Sequence, residues 1–181
     1  MEIINTAIEA VKVLKPRVFS DDRGFFMESY RASWLEDLGV SEHFVQDNHS
    51  KSVKGTLRGL HYQIKNPQGK LVRVTRGEVF DVAVDLRAAS PTFGHWVGQI
   101  LSEENQLQMW VPEGFAHGFV VLSETAEFLY KCTAYYSPQD ERAVRWDDPD
   151  LAIEWPDVSK AYTLSEKDQS APLFKDAEYF S

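Results

Sequence analysis

With 181 residues, 43% hydrophobic and 26% charged, the chain has the composition of a soluble globular protein long enough to bury one sizeable core. A net charge of −9 argues against a general nucleic-acid binder but leaves room for an anionic small molecule held by a few local cations. Cys132 is the only cysteine, which excludes an internal disulfide and a cysteine-based zinc site; no apolar run approaches a membrane span.

The N-terminal stretch MEIINTAIEAVKVLK lacks the cationic start, apolar stretch and cleavage site of a secretory leader, so a reducing cytoplasm is the expected setting. Short apolar or alternating runs bounded by Gly, Pro, Asn and Asp then predict strands over 9–14, 17–19 and 24–30. A helix is predicted over 33–39, with Ser33 and Glu36 as a capping box and Gly39 as its stop. Further strands follow at 43–48, 56–64, 70–76, 78–86, 94–101, 107–111, 116–122, 126–136 and 143–146.

Within EVFDVAVDL, Phe80, Val82, Val84 and Leu86 share one face and Asp81, Ala83 and Asp85 the other, the period of a strand. If 56–64 and 70–76 pair as a hairpin across the turn-like KNPQG, Lys70 comes to lie near His61. The mixed-polarity tail from residue 157 to 181 reads as short helices or loop laid over a sheet. So many strands, closed without exposed edges, predict a single all-β domain over residues 1–181, a jelly-roll barrel with a few short helices and a ligand in its mouth.

Candidate chemistry starts with the five histidines, His43, His49, His61, His95 and His117. VPEGFAHGF (111–119) has the Pro-x-Gly-x-x-His spacing of the second cupin motif, ending on His117. A metal-binding cupin would pair it with a His-x-His, but His61 is followed by Tyr62 and Gln63, so no metal is expected. His61 is then either a hydrogen-bonded core residue or a base, and its company of Arg58 and Lys70 suits a base beside a group that holds developing negative charge.

Other polar clusters read two ways. Gln46, Asp47 and Asn48 in FVQDNHS are a set of donors and acceptors or a strand-closing turn. In FSDDRGFFMESY, Arg23 suits a phosphate, and Glu28 would be odd on an inward face. Tyr130 in EFLYKCTAYY is a packed aromatic or a proton donor. SEKDQ (165–169) is a solvated charge run unless the tail folds back, in which case Asp168 matters.

Taken together, PRVFSDDRGFFMESY, FVQDNHSKS, GTLRGLHYQ, QGKLVRVTRGEVFDVAVDLR, SPTFGHWVG, MWVPEGFAHGFVVLSE, FLYKCTAYYSPQDE and LSEKDQ resemble the dTDP-4-dehydrorhamnose 3,5-epimerase family over residues 16–169. The resemblance implies a cupin-like jelly-roll homodimer without metal or organic cofactor. It implies that His61 is the general base, Asp168 its orienting carboxylate, Lys70 the stabiliser of the enolate oxygen and Tyr130 the proton donor on the opposite face.

By the same resemblance Arg23, Glu28, Gln46, Asp47, Asn48, Arg58, Lys70, His117, Glu141 and Lys167 match positions that line the nucleotide-sugar site, Arg23 and Glu28 in the neighbouring subunit's pocket. The chemistry is coherent. Carbons 3 and 5 of a dTDP-linked 4-keto-6-deoxy hexose flank the ketone, so inversion needs a base, an acid across the ring and an enolate stabiliser. Single-site epimerases of related dTDP-keto sugars, a metal-dependent cupin oxygenase or isomerase, and a non-catalytic sugar-nucleotide binding cupin are the alternatives.

Overall fold

The computed structural model describes residues 1–40, 43–158 and 161–181. The strands are β1 (Glu2–Asn5), β2 (Lys12–Lys15), β3 (Val18–Asp21), β4 (Gly24–Met27) and β5 (Gln46–Val53), with helix α1 (Ser33–Asp37) before β5. They continue as β6 (Leu57–Gln63), β7 (Lys70–Arg76), β8 (Glu78–Asp85) and β9 (Trp96–Ser102). The last four are β10 (Gln108–Val111), β11 (Phe115–Val121), β12 (Thr125–Cys132) and β13 (Glu141–Ala143). Helix α2 (Glu166–Gln169) and a 3-10 turn at Phe174–Asp176 follow, within the predicted tail; tail residues 159 and 160 lie outside the described residues.

Six strands form one antiparallel sheet in the order β1-β2-β10-β7-β12-β5, and five form a second in the order β13-β6-β11-β8-β9. The sheets face each other across a core that includes Val72, Val74, Met109 and Phe128 from the first and Val79, Ala83, Phe119 and Val121 from the second. This is the predicted cupin-like jelly roll. Strand β8 keeps its period of two, yet both of its faces are buried. Val79 and Ala83 face the barrel interior, whereas Val82, Val84 and Leu86 pack outward beneath Leu151, Trp155, Phe174 and Phe180 of the C-terminal segment. A sheet covered on its outer side must be apolar there too. Helix α1 seals the outer face of the six-stranded sheet, where Trp34 and Leu35 meet Leu14, Leu71 and Trp110. No helix is long and apolar enough to cross a membrane among the described residues.

Two local expectations are corrected. The capping box is not formed: the N-cap is Ala32, already helical at φ −57°, ψ −36°, and no side chain caps the helix. Ser33 lies one residue inside, because the amide of Trp34 already bonds back to the carbonyl of Arg31 and starts the turn earlier. The hairpin between 56–64 and 70–76 is also absent. KNPQG, with Asn66 at φ 49°, turns a barrel corner, so β6 joins the five-stranded sheet and β7 the six-stranded one. Each finds two partners that way, and the two strands lie in opposite sheets rather than side by side.

A break in register shapes the wall that follows. His61 pairs with His117 but Arg58 pairs with Phe119, so three steps along β6 match two along β11. Residues three apart on a plain strand face opposite sides; the extra residue turns Arg58 and His61 toward the same interior. Two glycines permit it. Gly59 sits at φ +126°, and a Cβ there would lie 2.6 Å from Gly118 Cα and 2.8 Å from the His117 carbonyl. A Cβ on Gly118 would in turn lie 2.7 Å from the Arg58 carbonyl oxygen. Backbones this close leave no room for a side chain on either strand.

Candidate active site

Between the sheets opens a cavity of about 370 Å³. Gln46 and Asn48 of β5, Lys70 of β7 and Tyr130 of β12 line it from the six-stranded wall. Arg58 and His61 of β6 and His117 of β11 line it from the five-stranded wall, and Glu141 of β13 closes one side. Register explains the first group: Cys132 stands opposite both Gln46 and Lys70, and Tyr130 opposite both Asn48 and Val72, so these rows share an inward face.

His61 is held from behind by the tail. The carbonyl of Thr163 accepts from the amide of Leu57 at 3.0 Å, and the amide of Thr163 donates to the carbonyl of Gly55 at 2.8 Å. That stitching delivers α2 to the back of β6. Its N-cap, Ser165, accepts from the Asp168 amide at 3.1 Å and donates to Asp168 Oδ2 at 2.7 Å. Asp168 Oδ1 then lies 2.6 Å from His61 Nε2. The carboxylate side chain is 4% exposed and the imidazole 37%. Burial works to raise the Asp168 carboxyl, but hydrogen bonds from His61 and Ser165 outweigh it and hold the group below its ordinary value. An ionised Asp168 accepts a hydrogen bond from Nε2–H, which keeps the proton on Nε2 and leaves Nδ1 as the basic nitrogen of the ring.

A second histidine–carboxylate pair stands beside the first. His117 Nε2 lies 3.0 and 2.9 Å from the two oxygens of Asp81, and both residues are buried. Burial pushes the Asp81 carboxyl up, against the opposing pull of His117 and Lys70. Asp81 escaped the reading of the sequence as a site residue; the signal was an aspartate amid VFDVAVD, an otherwise apolar strand. Lys70 is 8% exposed and its side chain makes no hydrogen bond among the described residues. Burial pushes its ammonium down, an effect that Cys132, Asp81 and Glu141 partly offset. Burial likewise pushes the Tyr130 phenol up, so it remains a protonated donor at neutral pH.

The remaining residues divide. Arg58 is steadied by a 3.1 Å bond from its Nε to Ser52 Oγ. Lys167 bridges to Glu141 at 2.8 Å beside the cavity. Arg23, Glu28 and Asp47 are not brought into this cavity. Arg23 pairs with Asp21 at the tip of the β3–β4 hairpin with its side chain 90% exposed, Glu28 pairs with Arg31, and Asp47 pairs with Lys131 on the outward face of β5. Gln63, at the place of a second metal-ligating histidine, is spent on backbone hydrogen bonds. No group of three or more His, Cys, Asp or Glu side chains is placed to hold a metal ion among the described residues.

Fold and cavity define a cupin-like barrel whose interior is lined with ionisable groups suited to proton transfer. The family model described as dTDP-4-dehydrorhamnose 3,5-epimerase matches residues 5–176, and the chain belongs to that family. The dTDP-4-dehydrorhamnose 3,5-epimerase of Pseudomonas aeruginosa is 60% identical over 181 residues, covering 99% of each chain. That of Salmonella typhimurium is 60% identical over 179 residues, covering 98% of this chain and 97% of the other. A crystal structure of dTDP-6-deoxy-D-glucose-3,5-epimerase from Legionella pneumophila, in complex with dTDP-4-keto-L-rhamnose, superposes with a TM-score of 0.94 at 56% identity, over 97% of this chain and 93% of that one.

The depressed Asp168 carboxyl has a consequence for stability. In the unfolded chain the group titrates near its ordinary value of about 3.9. Its folded value lies lower, so its contribution is fully present above that range and is lost as pH falls through the folded value. Thermal unfolding followed from pH 6 downward is therefore expected to lose stability more steeply in the wild type than in Asp168→Asn. Equal slopes would contradict the assignment.

Proposed function

We propose that the protein epimerises carbons 3 and 5 of dTDP-4-dehydro-6-deoxy-D-glucose to give dTDP-4-dehydro-L-rhamnose, in the biosynthesis of dTDP-L-rhamnose. One observation carries the reading: His61, backed by Asp168, lines the five-stranded wall of a cavity whose six-stranded wall holds Lys70 and Tyr130. Inversion of a carbon needs a proton removed on one face and returned on the other, and two walls meet that need.

His61 Nδ1 takes the proton from a carbon beside the ketone, and the C–H electron pair moves into a C=C bond as the carbonyl becomes an enolate. Lys70 holds the enolate oxygen; a donor of that kind contributes on the order of 3 kcal/mol. Tyr130 gives its phenolic proton to the opposite face, the enolate electrons return to form the new C–H bond, and the carbonyl is restored. His61 gives up its proton and Tyr130 regains one through solvent, so each epimerisation is proton-neutral and calls on no metal or organic cofactor. Asp168 keeps the imidazole in the reactive tautomer and stabilises its cation. Arg58, His117, Gln46, Asn48, Glu141 and Lys167 bind the nucleotide sugar, with guanidinium and ammonium groups for the diphosphate.

The same reading includes a homodimer. The β3–β4 hairpin stands apart from both sheets and leaves Phe19, Phe25 and Phe26 at 51%, 59% and 73% exposure. Three phenylalanines on one arm call for a covering surface. A second copy would supply it and would receive Arg23 and Glu28, whereas Asp47, on the outward face of β5, takes no part in the binding set of Gln46 and Asn48. The reading also places the protein in the cytoplasm, where the lone, buried Cys132 stays reduced.

His61→Asn is expected to abolish product formation while leaving dTDP affinity within a few-fold, as measured by turnover and calorimetry; near-normal turnover would remove His61 from the role of base. Tyr130→Phe is expected to separate the two half-steps, with solvent exchange persisting while product falls. Sedimentation equilibrium is expected to give the mass of two chains, and a single-chain mass at micromolar concentration would refute the dimer.

A further inference from the structure

The segment between β12 and β13 carries Tyr135 and Tyr136, and the Tyr136 ring, 49% exposed, lines the cavity. Glutamine side chains hold its backbone where strand neighbours would normally do so. The amide of Tyr136 donates to Gln46 Oε1 at 2.9 Å, at the start of β5. Gln68 Nε2, in the β6–β7 connection, donates to the Ala134 carbonyl at 2.8 Å. Gln63, the last residue of β6, does most: its Nε2 donates to the Tyr135 carbonyl at 3.2 Å and its Oε1 accepts from the Ser137 amide at 2.7 Å. The other Nε2 hydrogen goes to the Asn66 carbonyl at 2.8 Å, which ties in the β6–β7 connection.

Gln63 is 3% exposed, so its amide is committed to these bonds with no water to replace them. The β5 and β6 strands belong to different sheets, so the three glutamines fasten one segment to both walls beside the cavity. At the position where a metal-binding barrel would carry its second histidine, this chain has a clamp.

We propose that Gln63 is a positioning residue for substrate binding, acting through Tyr135–Ser137 to hold the Tyr136 ring as one wall of the cavity. The inference rests on the cavity being the nucleotide-sugar site. The side-chain hydrogen bonds of Gln63 among the described residues go to backbone groups and not to the proton-transfer groups, so binding should suffer and chemistry should not.

The test uses the full chain, with kcat and KM for dTDP-4-dehydro-6-deoxy-D-glucose, Kd for dTDP by calorimetry, and thermal unfolding in parallel. Gln63→Leu keeps the volume and loses every bond; KM and the dTDP Kd are expected to rise together by about tenfold, with kcat within about threefold of wild type. Because the clamp acts through the tyrosine, Gln63→Leu added to Tyr136→Ala is expected to cost little more than Tyr136→Ala alone.

A lowered melting temperature with unchanged KM and Kd would make Gln63 merely structural and overturn the proposal, as would full additivity with Tyr136→Ala or a fall in kcat at constant KM. Should Gln63→Leu fail to fold, Gln68→Ala removes the Ala134 bond at a half-buried position that also lines the cavity, so it is measured alone and in combination with Tyr136→Ala. It is expected to raise KM about threefold; no rise would overturn the clamp. A wild type that turns over substrate while Gln63→Leu matches it sinks the clamp alone, whereas a wild type that neither binds dTDP nor turns over substrate sinks the functional reading beneath it.

Discussion

A 2.6 Å hydrogen bond between His61 Nε2 and Asp168 Oδ1 joins a residue of the barrel wall to one 107 positions later in the chain. Much of the architecture serves that contact. The tail must run beside the start of β6, Ser165 must cap a helix of only four residues, and β6 must carry an extra residue so that His61 and Arg58 face the same way. Gly59 and Gly118, which leave no room for a Cβ on either strand, are as necessary to this arrangement as the histidine itself.

Electrostatics inside the barrel follow from burial. Among the described residues, four carboxylates, Asp81, Asp85, Asp148 and Asp168, and one ammonium, Lys70, lie at 8% exposure or less, and Asp81, Asp168 and Lys70 belong to the active site. Charges withdrawn from water so completely are tolerated when each has a partner or a field that compensates it. Asp168 has His61 and Ser165, and Asp81 has His117. The Lys70 ammonium has the nearby field of Cys132, Asp81 and Glu141, and its side chain makes no hydrogen bond among the described residues. In the proposed mechanism it gains its natural counter-charge when the substrate's oxygen becomes an enolate, which concentrates its stabilising effect in the transition state.

The all-β barrel was legible in the sequence because short alternating runs between turn residues leave few alternatives. Most of the cavity's lining was legible too, since Arg58, His61, Lys70, His117 and Tyr130 are polar groups on otherwise apolar strands. Pairing was not. Residues 56–64 and 70–76 read as a hairpin from local turn chemistry alone, whereas the choice of sheet depends on partners far along the chain. Alternation also hid Asp81, because it shows that two faces differ but not which one a tail will later cover. The same gap separates Asp47 from Gln46 and Asn48: one triplet in sequence, two faces of a strand in the fold. Helix α1 lacks the predicted side-chain cap for a comparable reason, its first turn being closed onto the Arg31 carbonyl.

The central claim is that one cavity moves protons at two carbons of one sugar. Incubating the protein with dTDP-4-dehydro-6-deoxy-D-glucose in heavy water and locating deuterium by NMR tests it most directly. Label at both carbon 3 and carbon 5 of the product is the expected result. Label at one carbon alone would make the protein a single-site epimerase, and no label at either would contradict the account.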